Sequence, residues 1–178
     1  MSDQLIRLVI PDLELLDTAL RGRAALQSAL GCEVADGWDV FPQALRSTRE
    51  AVAADPDRTR WGTRLFILDR PRTLVGWGGF KGPPTDGLVE LGYAIAPRWE
   101  GRGLATAAVR ELLREAFAAP EVQTAIAHTL PERGASVRVL EKIGFQHDGE
   151  VPEDDVGRAW RFRLDRPRTW AASQSSRS

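Results

Sequence analysis

Between residues 88 and 116 the chain changes its hydrophobic period across a single turn, and that switch limits the possible folds more than any other feature. Leu88-Val89-Glu90-Leu91-Gly92-Tyr93-Ala94-Ile95 reads as a strand. Ala105, Ala108, Val109, Leu112, Leu113 and Ala116 then follow the i, i+3, i+4, i+7, i+8, i+11 series of an amphipathic helix. Arg110, Glu111, Arg114 and Glu115 fall on the other side as a solvated face. Pro97-Arg98-Trp99-Glu100-Gly101-Arg102-Gly103 joins strand to helix. Unpaired N–H groups at a helix start, with the positive end of its dipole, favour an anion. Gly101 and Gly103 allow close backbone approach, and Arg98 and Arg102 offer charge suited to phosphate oxygens. This is a phosphate or pyrophosphate cradle, or else a plain turn whose glycines serve geometry only. A P-loop would need a Gly-Lys-Ser/Thr ending, and a dinucleotide fingerprint would need a third glycine where Thr106 stands.

The flanking segments give the rest of the order. Leu13 to Leu20, Arg23 to Leu30 (with Gly31 as a stop) and Gln43 to Ala54 read as helices, so the first 60 residues are expected to be mostly helical. Leu65 to Leu68, Thr73 to Phe80 and Leu88 to Ile95 read as an antiparallel meander, broken by turns at Asp69-Arg70-Pro71-Arg72 and Lys81 to Gly87. After the helix come a strand at Gln123 to Thr129, a short helix with Ser136, Val139, Leu140 and Ile143 on one face, and Gly144 placed to cap it. Phe145 to Val151 and Ala159 to Leu164 close the order as strands. The strand–helix–strand unit from Leu88 to Thr129 implies one parallel pair within a mixed sheet. The expected fold class is α/β (α+β), with a mixed, largely antiparallel central sheet and helices on both faces.

With 178 residues, the chain fits one domain, expected over 1–165, with a polar Ser-rich tail from Arg166 to Ser178. A net charge of −1 argues against a nucleic-acid footprint. The single cysteine, Cys32, excludes an internal disulfide and a multi-thiolate metal site, and is read as packing at a helix end or as a nucleophile. His128 and His147 show no metal spacing, so no metal is expected. The start shows no basic, apolar leader and no window is long enough to span a membrane, so a cytoplasmic protein is expected.

Arg98-x-x-Gly101-x-Gly103-x-Ala105 resembles the signature of the GNAT superfamily, the acetyl-CoA-dependent N-acetyltransferases. Leu74-Val75-Gly76-Trp77-Gly78-Gly79-Phe80 is similar to that family's strand before the cofactor strand. Ala135-Ser136-Val137-Arg138-Val139-Leu140-Glu141-Lys142-Ile143-Gly144-Phe145 is similar to its helix on the pantetheine side, in the RimJ/RimL-like branch particularly. The resemblance covers roughly residues 64–165, the cofactor-binding core, and makes residues 1–60 the acceptor-side region. It implies that main-chain groups of Tyr93, Ala94 and Ile95 pair with the pantetheine amides of acetyl-CoA. It also implies that the N–H groups of Gly101, Arg102, Gly103, Leu104, Ala105 and Thr106 hold the pyrophosphate.

Amide formation needs a neutral amine, and a lysine-like amine has a pKa of about 10.4. A carboxylate base eases that step. Glu90, on the presumed cofactor strand, is the first candidate, against a structural or edge-facing carboxylate. Ser136, read onto the apolar face of its helix, is a candidate to support the leaving sulfur, against a small residue for close packing. Related enzymes place a tyrosine acid where this chain has Leu140, and an asparagine where it has Arg133. Arg133 is then a candidate for a phosphate contact, or makes none. Trp38 and Phe41 lie in a loop where family members build the acceptor pocket, and either line it or seal the helical layer. His128 is read as packing at a strand end or as serving near the acceptor. Trp77 and Trp160 read as core.

The expected activity is acetyl transfer from acetyl-CoA to a primary amine, a protein N-terminus or a small molecule, by direct attack. Three rivals stand beside it: a non-catalytic acyl-CoA sensor of the same fold, a transferase for a longer acyl group, and a nicotinamide oxidoreductase. The last needs a third glycine and mostly parallel strands. Neither a nucleic-acid nor a membrane partner is expected, and exposed strands near the C-terminal end would permit a homodimer.

Overall fold

The computed structural model describes residues 6–40, 42–153 and 157–168. In chain order these form β1 (Ile6–Val9), α1 (Leu13–Arg21), α2 (Arg23–Leu30), β2 (Glu33–Val34) and α3 (Pro42–Ala54). A 3-10 turn at Pro56–Trp61 leads to β3 (Thr63–Asp69), β4 (Arg72–Phe80) and β5 (Leu88–Ile95). A second 3-10 turn, Pro97–Trp99, precedes α4 (Leu104–Ala118), β6 (Thr124–Thr129), α5 (Ala135–Ile143), β7 (Gln146–Glu153) and β8 (Gly157–Asp165). The fold class is the expected mixed, largely antiparallel open sheet with helices. The chain forms two compact units, one of residues 1–83 with 92–111, the other of 84–91 with 112–178. Their boundaries cut through β5 and α4 rather than through a linker, and the helices of residues 1–60 share a unit with β3 and β4.

In the first unit β1 pairs antiparallel with β3, and β3 with β4. Gly76 approaches Ala94 and Ile95 while Gly78 approaches Gly92 and Tyr93, an opposite progression that makes β4 and β5 antiparallel. Two elements correct the helical expectation for the first 60 residues. β1 is only four residues long and acquires its identity from the register Ile6↔Leu68 to Val9↔Leu65. β2, of two residues, adds a second parallel pair by joining β4 at Glu33↔Thr73. The core of this unit gathers Leu16, Leu26, Val34, Trp38, Leu45, Leu65, Ile67, Leu74 and Trp77. Burial of such side chains, at about 25 cal/mol per Å² of apolar surface, is the main drive for this packing.

Polar residues fix what the apolar ones leave loose. Arg64 is 3% exposed on β3, beside the apolar run Leu65 to Leu68. Its Nη1 donates to the carbonyls of Thr59, Gly62 and Thr63 at 3.2 Å each, and Nη2 donates to that of Arg60 at 2.7 Å. The buried charge is thus spread over the carbonyls in and after the Pro56–Trp61 turn, as a buried cation requires. Arg49 grips Asp17 through Nε at 2.7 Å and Nη2 at 3.3 Å, tying α3 to α1. That bond holds the Asp17 carboxyl below the usual carboxylate range.

In the second unit β5 pairs parallel with β6, the expected parallel pair, at Leu88↔Thr124, Val89↔Ala125 and Glu90↔Ile126. β6 and β7 both pair antiparallel with β8. Gly144 ends α5 in a left-handed conformation, its N–H bonded to the carbonyls of Leu140 and Glu141 at 3.1 Å. Trp160 is half-buried rather than core, because its Nε1 donates to the Glu150 carboxylate at 3.1 Å. The expected tail begins too early at Arg166. That guanidinium donates through Nε to the Val122 carbonyl at 2.8 Å, and its Nη2 bonds the carbonyls of Ala119 and Val122. Residues 169–178 of that expectation lie outside the described residues. Among the described residues no helix is long and apolar enough to cross a membrane.

Candidate active site

The glycine turn is built by the end of β5. Ala96 N–H donates to the Val75 carbonyl at 2.7 Å, which anchors the chain as it leaves the strand. Pro97 opens the 3-10 turn, and Trp99 N–H closes it on the Ala96 carbonyl at 2.8 Å. Gly101 and Gly103 follow with φ of +72° and +78°, a left-handed conformation that ordinary side chains resist. Ala107 N–H donates to the Gly103 carbonyl at 3.0 Å and so begins the α4 ladder. The N–H groups of Leu104, Ala105 and Thr106 precede that first bond and are the open donors of the helix start. A methyl group added at Gly101 or Gly103 would meet nothing within 4 Å. The Leu104 and Thr106 side chains are buried, so the turn presents backbone rather than side chain.

Arg98 and Arg102 are both exposed. Arg102 folds back: its Nη2 donates to the Arg98 carbonyl at 3.1 Å, and its guanidinium lies 4.9 Å from the centre of the Trp99 ring. Stacking of this kind holds a guanidinium flat while its remaining donors stay available. Tyr93 and Ala94 are half-buried, and Ile95 is buried. Trp38 is 3% exposed among Leu16, Leu26 and Leu45, so its indole seals the helical layer and offers no surface to an acceptor. Phe41 lies outside the described residues.

The second unit holds the candidate acid–base groups. Glu90 on β5 and His128 on β6 meet with Oε1 and Nδ1 2.8 Å apart. Their side chains are 23% and 16% exposed. The parallel register explains the meeting, since Glu90 lies opposite Ile126 and His128 is two residues farther along the same face. Spacing along the chain leaves His128 either packing at a strand end or serving near the acceptor. Only that register, which no local pattern shows, brings it to Glu90.

Ser136 is exposed at the start of α5, which corrects its expected place on the apolar face. The buried centre of that helix lies at Val137 and Leu140, one position round from Ser136. Arg133 is exposed, with Nη1 3.8 Å from Glu141 Oε1. Leu140, where the family's tyrosine was expected, is fully buried. Among the described residues no group of three or more His, Cys, Asp and Glu stands where a metal could be held.

A family model described as an acetyltransferase (GNAT) domain matches residues 7–146. A Bacillus subtilis (strain 168) protein named uncharacterized N-acetyltransferase YjdG is 26% identical over 143 residues, covering 79% of this chain and 85% of that one. Among solved structures, Mycobacterium smegmatis RimJ in complex with CoA-disulfide is similar at a TM-score of 0.64 and 23% identity, covering 97% of this chain and 89% of that one. The aminoglycoside acetyltransferase AAC(6')-Ib in complex with coenzyme A is similar at a TM-score of 0.63 and 21% identity, covering 98% and 100%. At these identities the structural likeness is one of fold.

Proposed function

The chain belongs to the GNAT acetyltransferase family, and from that premise we propose that it transfers an acetyl group from acetyl-CoA to a primary amine by direct attack. The observation that carries this reading is the open row of N–H donors at Leu104 to Thr106, behind two left-handed glycines with clear space beside them. Such a row suits a diphosphate. Acetyl-CoA supplies an activated thioester. In this reading the residues from Gly101 to Thr106 bind its diphosphate, with Arg98 and Arg102 adding charge and Arg133 offering a further phosphate contact. Main-chain groups of Tyr93, Ala94 and Ile95 align the pantetheine arm.

The Glu90–His128 pair supplies the base that takes a proton from the amine, and Ser136, exposed at the start of α5, donates a hydrogen bond to the leaving sulfur. Serine orients the sulfur more than it protonates it. The branch we favour is RimJ/RimL-like, working in the cytoplasm on a protein N-terminus or a small amine such as an aminoglycoside or polyamine. A second reading, a non-catalytic acyl-CoA sensor, is favoured by one observation, the buried Leu140 in place of a tyrosine acid.

Calorimetry with acetyl-CoA, followed by free-thiol release with an alanine-terminated peptide, spermidine and an aminoglycoside, tests both. Saturable binding with amine-dependent thiol release is expected. Absence of binding at about 1 mM, the limit of weak affinity, overturns the proposal. Tight binding without thiol release for any of the three amines favours the sensor.

A further inference from the structure

We propose that the proton acceptor in this transfer is Nε2 of His128, and that Glu90 is the positioning residue that holds the imidazole in the tautomer this requires. The inference rests on the acetyltransfer reading and deepens it by assigning the base to one atom. An ionised carboxylate only accepts hydrogen bonds, so a contact of 2.8 Å between Glu90 Oε1 and His128 Nδ1 places the ring hydrogen on Nδ1. Nε2 is then the nitrogen with the lone pair. Of the two partners the imidazole is ordinarily the stronger base. A carboxylate orienting an imidazole base is a recurring catalytic arrangement.

The surroundings support this division of labour. Both side chains retain some exposure, 16% for His128 and 23% for Glu90, so neither is sealed within the core. Both stand on strands paired in fixed register, which suits a base that must be held in place. On the other flank of β6, Arg161 lies opposite His128 in the β6–β8 ladder, so its side chain shares that face. Arg161 Nη2 bonds Asp148 Oδ2 on β7 at 2.9 Å. The charged groups facing His128 across these strands are thus Glu90, which bonds it, and Arg161, whose charge Asp148 balances. In the step itself the amine nitrogen forms the N–C bond and the C–S bond breaks with its electron pair going to sulfur. The proton shed by nitrogen goes to Nε2, and from there to the thiolate or to solvent.

The test compares wild type, His128→Asn and Glu90→Gln, using acetyl-CoA and whichever of the three amines above gives the fastest wild-type thiol release. In His128→Asn the amide nitrogen stands near the place of Nδ1 and still donates to Glu90, but no basic nitrogen remains. We expect kcat to fall by about 100-fold or more, the usual worth of a general base, with acetyl-CoA affinity and melting temperature unchanged. In Glu90→Gln the amide can present its NH2 to Nδ1 and hold the ring in the other tautomer, so kcat is also expected to fall, by up to about 10⁴-fold, with acetyl-CoA affinity unchanged. The rising limb of the kcat–pH profile is expected to vanish in His128→Asn and to persist in Glu90→Gln. Near-wild-type activity in His128→Asn, or loss of that limb from the residual activity of Glu90→Gln, overturns the assignment and makes Glu90 the base. Should His128→Asn not fold, the limb in Glu90→Gln decides alone. Failure of the wild-type protein to bind acetyl-CoA or release thiol rejects the acetyltransfer reading itself, and this inference with it.

Discussion

A methyl group added at Gly76, on β4, would overlap the carbonyl oxygen of Ala94 and stand 3.0 Å from Ile95 Cα, whereas one added at Gly101 or Gly103 would meet nothing within 4 Å. Gly78 repeats the first case, with the Gly92 carbonyl oxygen and Phe66 Cζ in the way. The strand glycines are required by their neighbours. The turn glycines are required by their own backbone angles, +72° and +78°. The strand pair therefore concerns how closely β4 and β5 approach, and the turn pair concerns which way N–H groups point. Gly76→Ala is expected to be the most damaging change. Overpacking a site with backbone on the far side costs about 1–3 kcal/mol, or roughly 2–12 °C in melting temperature for a chain of this size. An unchanged melting temperature would show that the two strands give way, and would dissolve the contrast.

Gly103→Ala separates the two kinds of requirement. The left-handed backbone costs a non-glycine residue about 1–2 kcal/mol, and no neighbour adds to it. A smaller melting loss than for Gly76→Ala is expected. Acetyl-CoA affinity is expected to fall roughly tenfold, about 1.4 kcal/mol, as the first N–H groups of α4 turn away. Calorimetry and thermal melting on the same two variants check both halves. A melting loss with unchanged affinity would mean that the turn serves the fold alone.

Features held by neighbours in sequence were legible, and features held by distant partners were not. The limits of β5 were read at both ends, and Gly31 and Gly144 marked helix stops that the structure places in left-handed geometry. The α4 face followed from spacing alone, with Ala108, Val109 and Leu112 fully buried. β1 was missed because four residues carry too little alternation, and its pairing with β3 spans some sixty residues of chain. Arg64 broke the apolar reading of its strand start, since the carbonyls that accept its charge are fixed by a 3-10 turn. In the candidate site, Glu90 was singled out through its place on the strand and His128 was offered a role near the acceptor, but their contact was not legible, because a parallel register is a property of two strands and a crossover together. Ser136 was misplaced by one position round its helix, an error that helical spacing permits when the short apolar stripe is itself only partly buried.

Gly92 offers the finest test, because neither requirement applies to it. A methyl group there would meet nothing within 4 Å, and its φ is outside the left-handed region that Gly101 and Gly103 occupy. It lies half-buried on β5 between Glu90 and Tyr93. With no steric or conformational demand, Gly92→Ala should preserve the fold and even stabilise it by about 0.4–1 kcal/mol, because alanine restricts the unfolded chain. Any need for glycine at this position then comes from outside the protein, from a ligand lying close against the strand. The expected signature is a melting temperature equal to or slightly above wild type, together with an acetyl-CoA affinity lowered by less than in Gly103→Ala. A melting loss as large as that of Gly103→Ala would mean that the strand itself requires the glycine, and the division among the three positions would no longer separate fold from binding.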